Sequence, residues 1–147
     1  MASGDPKIFD AARFDAALAA QPDRNPPATL PLFRQALRDG RAVLEQAWRD
    51  GAAVDRLITR QATLMDALLT RIWALHAPLL APKLEVALIA VGGYGRGELY
   101  PHSDIDLLLL LNGEKHDQVK PFAEAFLQFL WDLGLDVGHS VRSLKDC

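Results

Sequence analysis

The chain has a single cysteine, Cys147, at the last of its 147 positions. One thiol cannot close an internal disulfide, and no Cys/His cluster has the spacing of a zinc site. That usage fits a reducing cytoplasm. Basic excess is lacking too. Lys and Arg total 16 against 19 Asp and Glu, for a net charge of −3. This balance argues against the broad cationic surface of a nucleic-acid binder and leaves room only for local patches. No apolar run approaches the roughly 20 residues of a transmembrane helix. The N-terminal MASGDPKIFDAARFDAALAA lacks the basic start and continuous apolar run of a signal peptide. There is no internal repeat and no low-complexity tract. Half of the residues are apolar, which is enough for one domain with a real core.

The helical signals come first. Residues 7 to 20 read as a short helix with a small apolar face of Ile8, Ala11, Ala12, Ala16 and Leu18. QPDRNPPATLP (21 to 31) carries four prolines and reads as a linker or extended arm, because proline fixes φ and removes a donor. Residues 32 to 50 read as a helix that Gly51 breaks. Val54, Leu57, Ile58, Met65, Leu68, Leu69 and Ile72 have helical spacing over 53 to 76. Asp50 or Asp55 is the expected cap, and Pro78 and Pro82 the stop.

Strands follow. LEVALIAVG (84 to 92) and DIDLLLLL (104 to 111) read as buried strands closed by the polar turn NGEKHD. Val119, Phe122, Ala123, Phe126, Leu127, Leu130 and Leu133 make an amphipathic helix over 118 to 133, ended by Gly134. LDVGHSV (135 to 141) reads as a third strand. The expected class is mixed α/β (α+β), with a small sheet behind a helical lead-in. The expected divisions are an N-terminal helix and Pro-rich arm (1–31), a helical lead-in (32–82) and a core (83–147). LDVGHSVRSLKDC breaks off just after a strand-like segment, so the chain is expected to be the front of a longer protein.

Between the first two strands lies VGGYGRGELYPHSDIDLLLL. Gly92, Gly93, Gly95 and Gly97 permit positive φ and close approach of main chain to a ligand, and such turns attract phosphate. A plain structural turn explains the glycines equally well. A P-loop would need a Lys-Ser or Lys-Thr after the turn, and a Rossmann fingerprint would need other spacing and a long helix, which Pro101 forbids. Asp104 and Asp106 point to one side of a strand, because the side-chain period is two. Two like charges there call for a cation, and Mg²⁺ takes such hard oxygen ligands together with substrate phosphates. The plainer alternative makes Asp104 a turn cap and Asp106 a solvated edge residue. An EF-hand fails for want of its later oxygen ligands.

Together the two halves resemble the signature of the DNA polymerase β-like nucleotidyltransferase superfamily: a strand, Gly-Gly, a short helical turn with Arg, then Ser-Asp-Ile-Asp. The fuller string GGYGRGELYPHSDIDLLLL, the downstream FLWDLGLDVGHSVRSLKDC and the helical lead-in are similar to the family of bacterial protein-PII uridylyltransferases/uridylyl-removing enzymes. The resemblance covers the chain from about residue 30 onward. It implies a small mixed sheet of the polymerase β-like type. It implies that Gly92 and Gly93 hold the triphosphate of UTP, and that Asp104 and Asp106 hold two Mg²⁺ ions for in-line attack on the α-phosphate with loss of pyrophosphate.

Arg96 is placed for a phosphate or for Glu98. Ser103 either bonds a phosphate or caps the turn. The superfamily adds a third acid on a later strand, and Asp136 is the candidate, with a turn role as its alternative. The implied acceptor is a tyrosine hydroxyl of the nitrogen-regulatory protein PII, with no membrane or nucleic-acid partner. The family's phosphohydrolase and ACT domains do not fit in this length, so uridylyl removal and glutamine sensing are not expected here.

His116-Asp117 reads as loop, His76 as structural, His139 as uncertain but open to the site, and Trp48, Trp73 and Trp131 as packing residues. The competing readings are a nucleotidyltransferase with another acceptor and a nucleotide- or metal-binding regulatory module without turnover.

Overall fold

A computed structural model of the chain describes residues 7–80, 84–97, 104–112 and 116–143. Its elements are α1 (Ala11–Ala19), α2 (Pro26–Arg49), α3 (Val54–His76), β1 (Val86–Val91), α4 (Gly92–Gly95), β2 (Ile105–Leu111), α5 (His116–Asp132) and β3 (Val137–Ser143), with a 3-10 turn at Ala77–Leu79 after α3. The fold is mixed α+β. Its three strands lie in the order β1-β2-β3. β1 pairs antiparallel with β2, Val91 opposite Asp106, and β2 pairs parallel with β3, Ile105 opposite Val137. The antiparallel pair is joined through the glycine turn. The parallel pair is joined by α5, as a parallel connection requires a crossover.

Helical spacing set the buried faces. All seven apolar positions read on α5 are buried. On α3 the expected face is buried except Val54, which is exposed at the helix start. α2 buries Thr29, Phe33, Leu37, Gly40 and Leu44, a stripe at steps of three and four. A Cβ on Gly40 would stand 2.6 Å from Leu64 Cδ2 and 3.0 Å from Ile8 O. Only hydrogen fits there, so α2 lies against α3 and the N-terminal segment. Phe14, Phe33 and Phe129 form an edge-to-face chain with ring centroids 4.9 and 5.3 Å apart. One apolar cluster thus joins α1, α2, α3 and α5 to the sheet residues Ile105 and Leu107. Arg71 adds a tie to α1 through two bonds to Asp15, at 2.7 and 3.0 Å.

The structure corrects several local readings. The proline-rich stretch is not wholly extended: α2 starts at Pro26, with Pro26 and Pro27 in its first turn and Pro31 inside it. Early helix positions have no intrahelical acceptor for an N–H, so the first two prolines cost nothing there. Pro31 gives up one bond close to the helix end. Neither Asp50 nor Asp55 caps α3: Ala53 holds that position without a side-chain bond, and Asp55 sits in the first turn. His116-Asp117 is not loop but the first turn of α5, where the Asp117 carboxylate complements the helix dipole.

Gly51 and Gly134 do end α2 and α5, each in the left-handed region, with the following N–H reaching back to Ala47 O and Leu130 O. Pro82 and Cys147 lie outside the described residues.

His76 is a core residue, as read. It is 1% exposed, its Nδ1 lies 2.7 Å from Ile72 O, and it packs edge-on to Phe126 and Phe129. Burial pushes its pKa below the ordinary imidazole value, and the bond to Ile72 opposes that only in part. Trp73 also packs, against Phe122 at 4.8 Å. Trp48 and Trp131 lie outside the core: they are 59% and 43% exposed. Helical periodicity places a residue on a face, but not how far a long indole reaches past it.

Candidate active site

The sheet has two unlike faces. On β2, Ile105, Leu107, Leu109 and Leu111 are buried toward the helices, while Asp106 is exposed on the other side. The register sets Val91 and Gly138 beside Asp106 on that outer face. Strand alternation places Asp104, one residue ahead of β2, on the same face. β2 is the central strand of the three, so the plainer reading of Asp106 as an edge residue fails.

Asp106 sits in a slot made by two glycines. A Cβ on Gly138 would stand 2.7 Å from Asp106 Oδ1, and one on Gly92 would stand 3.2 Å from Oδ2. Gly92 has φ 66, a conformation that side chains other than glycine rarely adopt. The chain leaves β1 at this residue and turns at once into α4. Gly95 approaches β1 just as closely, its Cβ position 2.6 Å from Ala90 O. Gly92 was legible in the sequence as part of the turn. Gly138 was not, because nothing in VGHSV announces that β3 will run beside Asp106.

The other expected residues are distributed as follows. Gly93 is in α4, half-buried. Arg96 follows α4, exposed, and its main-chain N–H donates to Gly92 O and Gly93 O at 3.3 and 3.1 Å. Ser103 and Glu98 lie outside the described residues. Asp136 is not in a strand but one residue before β3. Its carbonyl accepts from Ile105 N–H at 2.9 Å, which brings its main chain to the Asp104 end of β2. Among the described residues, no group of three or more His, Cys, Asp or Glu side chains lies close enough to hold a metal ion.

His139 is not on the site face. It pairs with Leu107, on the helix side of the sheet, and its ring meets Trp131 at 5.9 Å. A strand period of two separates it from Gly138.

Tyr94 was not singled out in the sequence. It is the buried residue of α4, 6% exposed, and its hydroxyl donates to Asp66 Oδ1 on α3 at 2.5 Å. Burial, and next the Asp66 carboxylate, push its pKa far above the usual phenol value, so it stays a donor. The single tyrosine among glycines was the available signal, since a side chain there must go somewhere.

The donor set suits a hard cation. Two aspartates on one face offer carboxylate oxygens, and Mg²⁺ characteristically takes one or two of these with phosphate oxygens completing its shell. The two glycines leave the Asp106 carboxylate uncrowded by neighbouring side chains.

Comparison with known proteins gives the family. The profile of the family described as "Putative nucleotidyltransferase DUF294" matches residues 38–139. A bifunctional uridylyltransferase/uridylyl-removing enzyme of Azotobacter vinelandii is 43% identical over 97% of this chain and 15% of its own length. Enzymes of the same name from Ectopseudomonas mendocina and Pseudomonas fluorescens are 41% and 42% identical over the same shares. The chain thus spans 15% of the length of these relatives. No solved structure matches it. No helix among the described residues is long and apolar enough to cross a membrane. With the profile matching more than half of the chain, across the helical hairpin, the glycine turn and the aspartate strand, the chain belongs to the DUF294 family of nucleotidyltransferases.

Proposed function

We propose that this chain is the nucleotidyl-transferring part of a uridylyltransferase, moving UMP from UTP to a tyrosine hydroxyl of the nitrogen-regulatory protein PII. The observation that carries the reading is the Asp106 carboxylate held between Gly92 and Gly138, with Asp104 on the same sheet face. The relatives' name, uridylyltransferase, supports the uridylyl donor. The acceptor rests on the resemblance of the two motif blocks.

In the reaction the tyrosine oxygen bonds to the α-phosphorus and the bond from that phosphorus to the β-phosphate bridging oxygen breaks. Pyrophosphate leaves, and the hydroxyl proton passes to solvent. Catalysis of this kind is chiefly positioning and charge stabilisation. Asp104 and Asp106 would hold Mg²⁺, which when bound supplies positive charge against the phosphate oxygens. Gly92 and Gly93 admit the triphosphate close to main chain, where a larger residue at 92 would meet Asp106. Arg96, exposed just past the turn, is placed to meet a phosphate oxygen, and Ser103 is proposed as a further phosphate contact. Asp136 is proposed as the third acid, by a side-chain approach from the end of β3. The setting that goes with this reading is the cytoplasm.

The test is incubation with UTP, Mg²⁺ and PII. The expected result is pyrophosphate release with one UMP added to a PII tyrosine, read by mass spectrometry. Transfer from ATP in preference to UTP, or pyrophosphate release with PII left unmodified, would overturn the donor or the acceptor respectively.

A further inference from the structure

The glycine turn has little side-chain substance of its own. Of the four residues of α4, three are glycines and only Tyr94 is buried. Beneath it, among the described residues, α3 and β1 do not close on one another. A cleft of about 560 Å³ lies between them, lined by Asp66, Leu69, Thr70, Trp73, Leu88 and Tyr94, among others. Across this gap the Tyr94 hydroxyl reaches Asp66 Oδ1. Tyr94 stands two residues from Gly92, which abuts the Asp106 carboxylate. A rotation of α4 about the end of β1, where Val91 pairs with Asp106, would swing Gly93 and the rest of the turn relative to Asp106, and the phenol-carboxylate bond resists that rotation.

We propose that Tyr94 and Asp66 act as a positioning pair that ties the glycine turn to α3 and so fixes the turn against Asp106 for nucleotide binding. The proposal rests on the nucleotidyltransferase reading of the site. The Tyr94 hydroxyl donates to Asp66 on α3, not to Asp104 or Asp106. Its ring anchors the turn in the apolar cluster, and its hydroxyl sets the orientation. A hydrogen bond to an ionised partner is among the stronger ones, so one bond suffices to bias a turn made mostly of glycine.

The experiment uses the 147-residue chain, with Mg²⁺-UTP binding followed by calorimetry and folding by the thermal midpoint. Tyr94→Phe keeps the buried ring and removes only the hydroxyl. It is expected to weaken Mg²⁺-UTP binding about tenfold while the protein stays folded. Asp66→Ala is expected to do the same, and Asp66→Asn, which retains an acceptor oxygen, to recover most of the affinity. The Tyr94→Phe/Asp66→Ala double variant should lose no more than either single one, since both remove one bond.

A purely structural role would lower the midpoint and leave the affinity of the folded protein unchanged. That result, or additive losses in the double variant, overturns the proposal. Wild-type affinity in Tyr94→Phe overturns the pair alone. Failure of the wild-type chain to bind Mg²⁺-UTP overturns the site reading and the pair with it.

Discussion

Replacing Gly138 by alanine is the sharpest perturbation of the site that leaves its carboxylates in place. The added Cβ would stand 2.7 Å from Asp106 Oδ1, whereas ordinary contact begins at 3.4 Å. The oxygen must therefore give way by about 0.7 Å, a third of a Mg²⁺–oxygen bond of roughly 2.1 Å. The room it has is on the other side, toward Gly92, where a Cβ would stand 3.2 Å from Oδ2 and none is present. A cation that demands near-ideal octahedral geometry loses a ligand or shifts with it. A displacement approaching 1 Å is worth up to about 100-fold, so Mg²⁺-dependent nucleotide affinity is expected to fall about 10- to 100-fold, or roughly 1.4–2.7 kcal/mol.

The fold should not suffer from this change. Gly138 lies in β3 and is not among the glycines with positive φ. Alanine at such a site reduces the freedom of the unfolded chain, worth about 0.4–1 kcal/mol, and this offsets the turning of the exposed Asp106 side chain away from the new Cβ. The assay is titration of Mg²⁺-UTP beside a thermal melt. Lower affinity with an unchanged or raised midpoint is the expected pair of results. Affinity within twofold of wild type would refute the slot as the device that sets Asp106.

The other expectations concern stability and the acid limb. Gly40→Ala should destabilise the fold by about 1–3 kcal/mol, the usual range for overpacking. Its Cβ would press on Leu64, which is fully buried, and on the Ile8 carbonyl. A denaturation midpoint equal to wild type would show that α2 and α3 part without cost. For His76, the folded-state pKa lies below the ordinary 6.5, so the unfolded chain binds the proton more readily. Its contribution is fully present above pH 6.5 and is lost as the pH falls from there through the folded value. The thermal midpoint should therefore drop on acidification through this window. His76→Leu should flatten that part of the profile, and an identical profile in the variant would contradict the assignment.

Much of this architecture was legible because its elements obey simple periods. The α5 face could be read residue by residue, and Gly51 and Gly134 stop their helices where expected. The outward face of Asp106 could be read from alternation alone. Contacts between elements were not legible. Phe14, Phe33 and Phe129 stand in three different helices, and no local pattern says that their rings will meet.

Proline misled at 26 and 27, because the same residue that breaks a helix interior is harmless in a first turn, and at 31, where the helix tolerates the loss of one bond. The candidate site divides in the same way. Gly92, Asp104 and Asp106 are close in sequence and could be read as one motif. Gly138 and Asp66 come to it from other elements, one through parallel pairing with β2 and the other through a single hydrogen bond from α3.

The central claim is that Asp104 and Asp106 bind a nucleoside triphosphate through Mg²⁺. Its most direct measurement is calorimetric titration of UTP with and without Mg²⁺, on the wild-type chain and on the Asp104→Asn/Asp106→Asn variant. The expected result is Mg²⁺-dependent binding by the wild type, tighter for UTP than for ATP, and loss of that binding in a variant that melts as the wild type does. Binding of equal strength in the variant, or binding indifferent to Mg²⁺, would contradict the claim.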